Sequence, residues 1–310
     1  EIKSLSYIKK VTIAVLIMKK NMNIMTIKNI FSTALMYINY FFRLIKECWC
    51  FKKEKQHDIK IENDNTFKVM SFNIRRDTLK DKENNWAFRR DSIISMILEY
   101  KPDIICFQEV MPTMAKFLIS ELSCMYNNTG VEIFTNREIT KSNFIFGEGL
   151  LTMWRKDLFT LKNRNVVKLY DGRKINLRRY LDAELVDKQG KTTHIINTHF
   201  CHMSETARNN SWEKLYAFVS KLDCDFYACG DFNCDKTYRN SKILMLMNDY
   251  SYNYKKKSSD TTISGYGTKV HTGAIIDYIF SNNKLTDFEI ITKKYNDRYL
   301  SDHFPIINYY

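Results

Sequence analysis

Cysteine, proline and glycine are scarce: the 310 residues hold 8 Cys, 3 Pro and 9 Gly. So little Gly and Pro excludes a collagen-like or Gly/Pro-rich low-complexity chain. Eight thiols are too few for a disulfide scaffold at this length. No two of them form a CxxC pair, which argues against a zinc ribbon. Cys106 and Cys229 lie inside apolar runs and read as buried thiols, suited to a reducing compartment. Long apolar runs are lacking too. The longer of two N-terminal stretches, residues 30–42, has 13 residues, short of the ~20 that cross a bilayer.

The chain is 45% apolar and 27% charged, a globular balance that rules out global disorder. Its net charge of +13 is unevenly spread. Residues 1–60 carry 12 Lys and Arg against 4 Asp and Glu, a net of +8, and the remainder carries 36 against 31. Two parts follow. Residues 1–60 are basic and partly apolar. They read as a signal- or anchor-like segment that could touch a membrane, or as a helical appendage. Residues 61–310 read as one folded catalytic domain. The charge of this second part does not by itself demand a polyanionic partner.

From residue 67 onward short apolar runs alternate with helical patterns. Strands are expected at 67–72, 103–107, 149–154, 181–186, 194–197, 226–229, 275–280 and 304–308. Helices are expected at 86–100, around Met114–Leu122, and around Trp212–Leu222. This alternation predicts an α/β fold.

Six of these strands meet a polar residue at one end. They run into Asn73, into Gln108 and Glu109, into Asn197, Thr198 and His199, and into Asp231 and Asn233. The strand at 275–280 holds Asp277, and the last is preceded by Asp302 and His303. A single Asn or Asp there is commonly a turn former. Six such ends in one chain suggest a site assembled where strand ends converge. The set suits one chemistry. Carboxylates and Asn carbonyls are hard oxygen ligands that fit Mg²⁺ or Mn²⁺. Imidazoles and amides donate to phosphoryl oxygens, and a carboxylate off the metal can take a proton from water.

The segments SFN (71–73), QEV (108–110), NTH (197–199), GDFN (230–233), DYIF (277–280) and SDHFP (301–305), in this order, resemble the endonuclease/exonuclease/phosphatase superfamily. The resemblance covers roughly residues 65–310. It implies a four-layer α/β sandwich, two packed mixed β-sheets flanked by helices. It implies a divalent-metal-dependent phosphoester hydrolase in which water attacks a phosphate ester in line. By the same resemblance Glu109, Asn73 and Asp302 are the metal residues, Mg²⁺ or Mn²⁺ being the ion. Asp231 handles the attacking water, and Asn233 steadies it. His303 donates to the scissile phosphate and is oriented by Asp277. His199 contacts phosphate. Arg178 stands where members place a phosphate-binding arginine, with Arg179 adjacent and the register open. Trp86, Arg90 and His202 are candidates to line the cleft, though Trp86 could equally be a core residue at a helix start.

Substrate class is less sharply marked. A nuclease acting on nucleic acid competes with a hydrolase of a phosphorylated small molecule or lipid, of the inositol-phosphate phosphatase or sphingomyelinase kind. A non-catalytic binding module on the same fold is a third reading, and the intact Glu109, Asp231, Asn233 and His303 set argues against it. Lys255–Lys257 and the loop 264–270 are candidate contacts to a polyanion, though a Lys run is commonly a solvated face.

Overall fold

A computed structural model describes residues 34–35, 38–40, 42–43, 66–133, 147–169, 178–238, 241–254, 256–270 and 272–310. The chain divides into two units, Glu1–Cys50 and Phe51–Tyr310. In the first, the described residues 34–35, 38–40 and 42–43 are helical. The anchor-like reading of residues 1–60 falls almost wholly outside the described residues. Among those described, no helix is long and apolar enough to cross a membrane.

The second unit is an α/β sandwich built from two sheets. The first sheet contains β1 (Lys68–Asn73), β2 (Ile104–Val110), β3 (Tyr126–Asn128), β4 (Glu132–Ile133) and β5 (Gly149–Arg155). The second contains β6 (Phe159–Lys168), β7 (Arg179–Asp187), β8 (Thr192–His199), β9 (Asp225–Asp231), β10 (Ser251–Tyr252) and β11 (Asp277–Ser281). The chain then returns to the first sheet with β12 (Asp287–Ile290) and β13 (Ile306–Tyr309). Strand order is β12-β13-β1-β2-β5-β3 in one sheet, with β4 pairing on β5, and β10-β11-β9-β8-β7-β6 in the other. Two strand pairs are parallel, β1 with β2 and β8 with β9. Each is joined by a helix, α1 (Trp86–Tyr100) in the first and α3 (Glu205–Val219) in the second. α2 (Pro112–Leu122) and α4 (Leu244–Asp249) complete the named helices.

Local sequence explains where helices start and stop. The Asn85 side chain accepts from Ala87 N and caps α1, which ends at Lys101 in a left-handed conformation just before Pro102. Ser204 caps α3 through Ala207 N. α2 begins on Pro112, whose missing N–H is no loss in a first turn.

Alternation along the strands divides the core into three layers. Met70, Phe72, Ile105 and Phe107 face α1 and α2, packing with Ile93, Ile97, Met114 and Leu118. Ile196, Phe226, Ala228 and Phe280 face α3, packing with Trp212, Leu215 and Val219. Between the sheets lie Val69, Ile104, Cys106 and Ile306 from one and Leu185, Ile195, Tyr227, Cys229 and Ile279 from the other.

Most expected elements are found, with instructive differences. β6 has no counterpart in the apolar pattern because it is an edge strand with most of its residues exposed. β12 and the two-residue strands are too short to show a period. The expected strand at 275–280 starts only at Asp277. The amides of Ile275 and Ile276 are taken by side chains, donating to Asp235 Oδ2 (2.8 Å) and Thr262 Oγ1 (3.0 Å) instead of a ladder.

Candidate active site

The polar residues are the ends of the same alternation that builds the middle layer. Val69, Ser71 and Asn73 share one face of β1, as Tyr227, Cys229 and Asp231 do on β9 and Ile195, Asn197 and His199 on β8. Register brings them level. Asn73 lies opposite Gln108, while Asp231 is flanked by His199 on one side and Asp277 on the other. The inter-sheet layer thus runs from apolar to polar. Its polar belt ties the sheets together. Asn197 Nδ2 donates to Phe107 O, Leu151 O (both 3.1 Å) and Thr152 Oγ1 (3.3 Å) in the other sheet, and its Oδ1 accepts from Gln108 Nε2 at 2.9 Å.

Glu109 should by alternation point to the helix side with Phe107. A β-bulge shifts the β2–β5 pairing between Phe107 and Val110, and Glu109 takes φ 60°. The carboxylate therefore turns to the site, where Oε1 accepts from Asn73 Nδ2 at 3.2 Å and Oε2 from Arg76 N at 3.1 Å. Arg75 (φ 54°) and Asn233 (φ 50°) are also left-handed. Three such non-Gly residues in one site, each costing about 1–2 kcal/mol, show that the surrounding structure over-determines their placement.

Gly230 is needed for a different reason: a Cβ there would lie 2.2 Å from the carbonyl oxygen of Thr198 on β8. Beneath the site Phe232 stacks on Trp212 (centroids 4.6 Å apart), and Phe200 packs edge-on against both. This cluster pins the loops that follow His199 and Asp231.

Asp231 is the hub. Its Oδ2 accepts from Asn73 Nδ2 (3.0 Å) and lies 3.3 Å from His199 Nε2 and 3.7 Å from His303 Nε2, while Oδ1 accepts from Asn233 N at 2.9 Å. Burial and then the neighbouring Asp277 push its pKa up to about 7, against the opposing pull of His303 and the hydrogen bonds. Burial also works against the charge on His303, but Asp277, 3.0 Å from Nδ1, and Asp231 outweigh it and hold the imidazole protonated well above its ordinary range. His199 is the opposite case. Burial, with Arg178, His303 and His202 nearby, keeps it neutral, and its Nδ1 has no hydrogen-bond partner. For Glu109, burial is outweighed by the Arg76 amide, Arg75, His303 and Asn73, so its carboxyl stays below its ordinary value.

Two groups of atoms could hold a cation. Asp231, Asp277 and His303 place ligand atoms within 4.8 Å of one another. In that trio Asp277 is hydrogen-bonded to His303 Nδ1 and Asp231 lies 3.7 Å from Nε2, so the two carboxylates flank an imidazolium, which repels a cation. Glu109, Asn73 and Asp302 offer oxygen atoms only, and Glu109 is held ionised. That donor chemistry fits a hard divalent ion.

The structure brings Asn73, Glu109, His199, Asp231, Asn233, Asp277 and His303 together directly. Asp302 joins them through Arg75, whose Nη1 is 3.6 Å from Asp302 Oδ2 and 4.0 Å from Glu109 Oε2. Arg178 is buried, with Nη2 at 3.5 Å from His202 Nδ1, whereas Arg179 is paired with Glu132. The two consecutive arginines at the entry to β7 thus meet different partners. Trp86 is core, fully buried edge-on to Phe117, and Arg90 lies over the same ring. Lys256 is held by Asp287 and Phe288 O, and Lys255 lies outside the described residues. The 264–270 loop folds back on Asp302, whose carbonyl accepts from Ser264 N and Gly265 N. Residues that the pattern did not single out are Arg75, Arg76 and Glu148, the last two ion-paired at 3.2 Å. The adjacent Arg-Arg pair two residues after Asn73 was the available signal.

Comparison with known proteins agrees with this geometry. The Endonuclease/Exonuclease/phosphatase family matches residues 70–303. A probable CCR4-Not complex 3'-5'-exoribonuclease subunit Ccr4 of Vairimorpha ceranae is 22% identical over 226 residues, 66% of this chain and 47% of that protein. The chain thus spans about half the length of this curated relative. Among solved structures, an endonuclease/exonuclease/phosphatase family protein of Bacteroides thetaiotaomicron superposes with a TM-score of 0.68 at 21% identity, covering 79% of this chain and 97% of the other. A mannosyl-6-phosphatase of the same organism gives 0.66 at 21%, covering 78% and 98%.

Proposed function

The chain belongs to the endonuclease/exonuclease/phosphatase family, whose members hydrolyse phosphoester bonds, and on that premise we propose that it is a divalent-metal-dependent phosphodiesterase acting on nucleic acid. The observation that carries the reading is His303, hydrogen-bonded to Asp277 through Nδ1 and 3.7 Å from Asp231 Oδ2 at Nε2, with Asn73 bridging Asp231 and Glu109 beside it. The exoribonuclease named among the relatives supports RNA as the substrate class to test first.

Glu109, Asn73 and Asp302 would hold Mg²⁺ or Mn²⁺, which when bound offsets charge on the phosphate. Asp231, with a pKa near 7, is poised to take a proton from a water aimed at phosphorus. Asn233 fixes that carboxylate through its backbone amide, and its side-chain amide is anchored on Phe200 O at 3.1 Å. His303, protonated and oriented through Nδ1 by Asp277, presents Nε2–H to the charge developing on the phosphoryl oxygens. Neutral His199, with Nε2 3.3 Å from Asp231 Oδ2, would contact the phosphate. Arg178, buried beside His202, would bind a non-bridging oxygen.

The test is turnover with Mg²⁺ or Mn²⁺ on oligo(A), abasic DNA, bis-p-nitrophenyl phosphate, sphingomyelin and inositol polyphosphates. Metal-dependent cleavage of oligo(A) above the others is expected. Cleavage confined to sphingomyelin or inositol phosphates would replace the substrate class. No cleavage of any substrate, by a folded protein that still binds them, would identify a binding module.

A further inference from the structure

Arg75 is placed as no turn residue needs to be. Its left-handed backbone (φ 54°) directs a guanidinium into the space between two carboxylates, Asp302 Oδ2 at 3.6 Å and Glu109 Oε2 at 4.0 Å. A third carboxylate fixes it there: Nε and Nη2 donate to Asp81 Oδ2 and Oδ1 at 3.1 and 3.3 Å. Asp81 is itself held by the Tyr266 hydroxyl at 3.4 Å. The Arg75 amide donates to Asn73 Oδ1 at 3.0 Å. One residue therefore touches all three groups assigned to the metal, through its side chain or its backbone.

We infer that Arg75 is a resident cation of the metal site, a positioning residue that holds Glu109 and Asp302 in place before the ion arrives and sets a limit on how tightly the ion binds. This rests on the metal-dependent reading above. The physical reason is that Glu109 and Asp302 together carry two negative charges in a partly buried cleft. Without a counter-charge they would repel each other and drift apart. A guanidinium cannot lose its charge, so it serves at any working pH. The same charge opposes a dication ligated by either carboxylate. Even in a water-like dielectric, a single and a double positive charge a few ångströms apart repel enough to shift an equilibrium roughly 10- to 30-fold. Exchange of the ion stays fast as a result, and the empty site stays ordered.

The experiment measures Mn²⁺ binding to the full chain by calorimetry or electron paramagnetic resonance, with thermal unfolding in chelator. Wild type is compared with Arg75→Gln, which drops the charge, and Arg75→Lys, which keeps it. Arg75→Gln is expected to bind Mn²⁺ roughly 10-fold or more tighter while unfolding at lower temperature in chelator, and Arg75→Lys should stay close to wild type. If the Gln variant does not fold, Arg75→Met, which keeps the packing of the stem, takes its place. Unchanged or weaker Mn²⁺ binding by a folded, charge-free variant overturns the inference while leaving metal dependence intact. Binding by neither wild type nor variant removes the metal reading itself. Binding by the variant alone would show the guanidinium excluding the ion outright.

Discussion

Replacing Asp231 by Asn should make the protein more stable at pH 8 and nearly inactive. The buried carboxyl has its pKa pushed up from 3.8 to about 7. Between those values the native state keeps a proton that the unfolded chain has released, so stability falls as pH rises. The fall is about 1.4 kcal/mol per pH unit across roughly three units, or about 4 kcal/mol once pH exceeds 8. An Asn side chain does not titrate and escapes that loss. It carries one acceptor oxygen where Asp231 accepts through both, from Asn73 Nδ2 on one side and from Asn233 N on the other. One donor is then left facing an amide NH₂, at a cost of about 1–3 kcal/mol. The balance is a variant about 1–3 kcal/mol more stable than wild type at pH 8 and somewhat less stable at pH 5. Urea unfolding of both proteins in chelator at pH 5, 6, 7 and 8 measures it. The difference should swing toward the variant with rising pH and flatten beyond 8, while turnover drops roughly 10²–10⁴-fold. A difference that stays constant from pH 5 to 8, or swings the other way, would show that Asp231 is not a strained carboxylate.

Turnover of the wild type should rise through pH ~7 as Asp231 loses its proton, and a flat profile from 5.5 to 8.5 would contradict that assignment. His303→Ala should lower turnover roughly 10²–10³-fold. In Asp277→Asn the first support for the His303 charge is gone, so the alkaline limb of the pH–rate profile should move to lower pH. Gly230→Ala should lower the melting temperature sharply, because its Cβ would collide with the Thr198 carbonyl, and a neutral result in thermal unfolding would mean that β8 and β9 can part there. Asn197→Ala should cost about 2–4 kcal/mol in urea unfolding, since carbonyls of Phe107 and Leu151 lose their buried donor.

Legibility followed burial. Strands with both faces covered, such as β1, β2, β8 and β9, announce themselves as apolar runs, and the residues at their ends stand out against that background. β6 has one face in water and an open edge, so its FTLKNRNVVK carries no such contrast. The candidate site was readable where side chain and motif coincide, at Asp231 and His303. It was unreadable where backbone geometry does the placing. Nothing in the letters Arg75-Arg76 says that one guanidinium turns inward between two carboxylates while the other meets Glu148. Trp86 left both readings open from its letters, cleft or core at a helix start, and the ring of Phe117 against it makes it core.

β13 lies between β1 and β12, so the first strand of the domain borders a strand that comes some 230 residues later. Consider the domain as it leaves a ribosome. By the time Asp231 has emerged, β1, β2, β8 and β9 are all outside, with Asn73, Glu109 and His199 in place to meet it. β1 still has one bare edge then, and Asp277, once it follows, waits in turn for His303. The arrival of residues 303–309 closes that edge and seats the imidazole in a single event. A fragment that stops short of Ile306 lacks β13, and β1 and β12 lose the strand that lies between them.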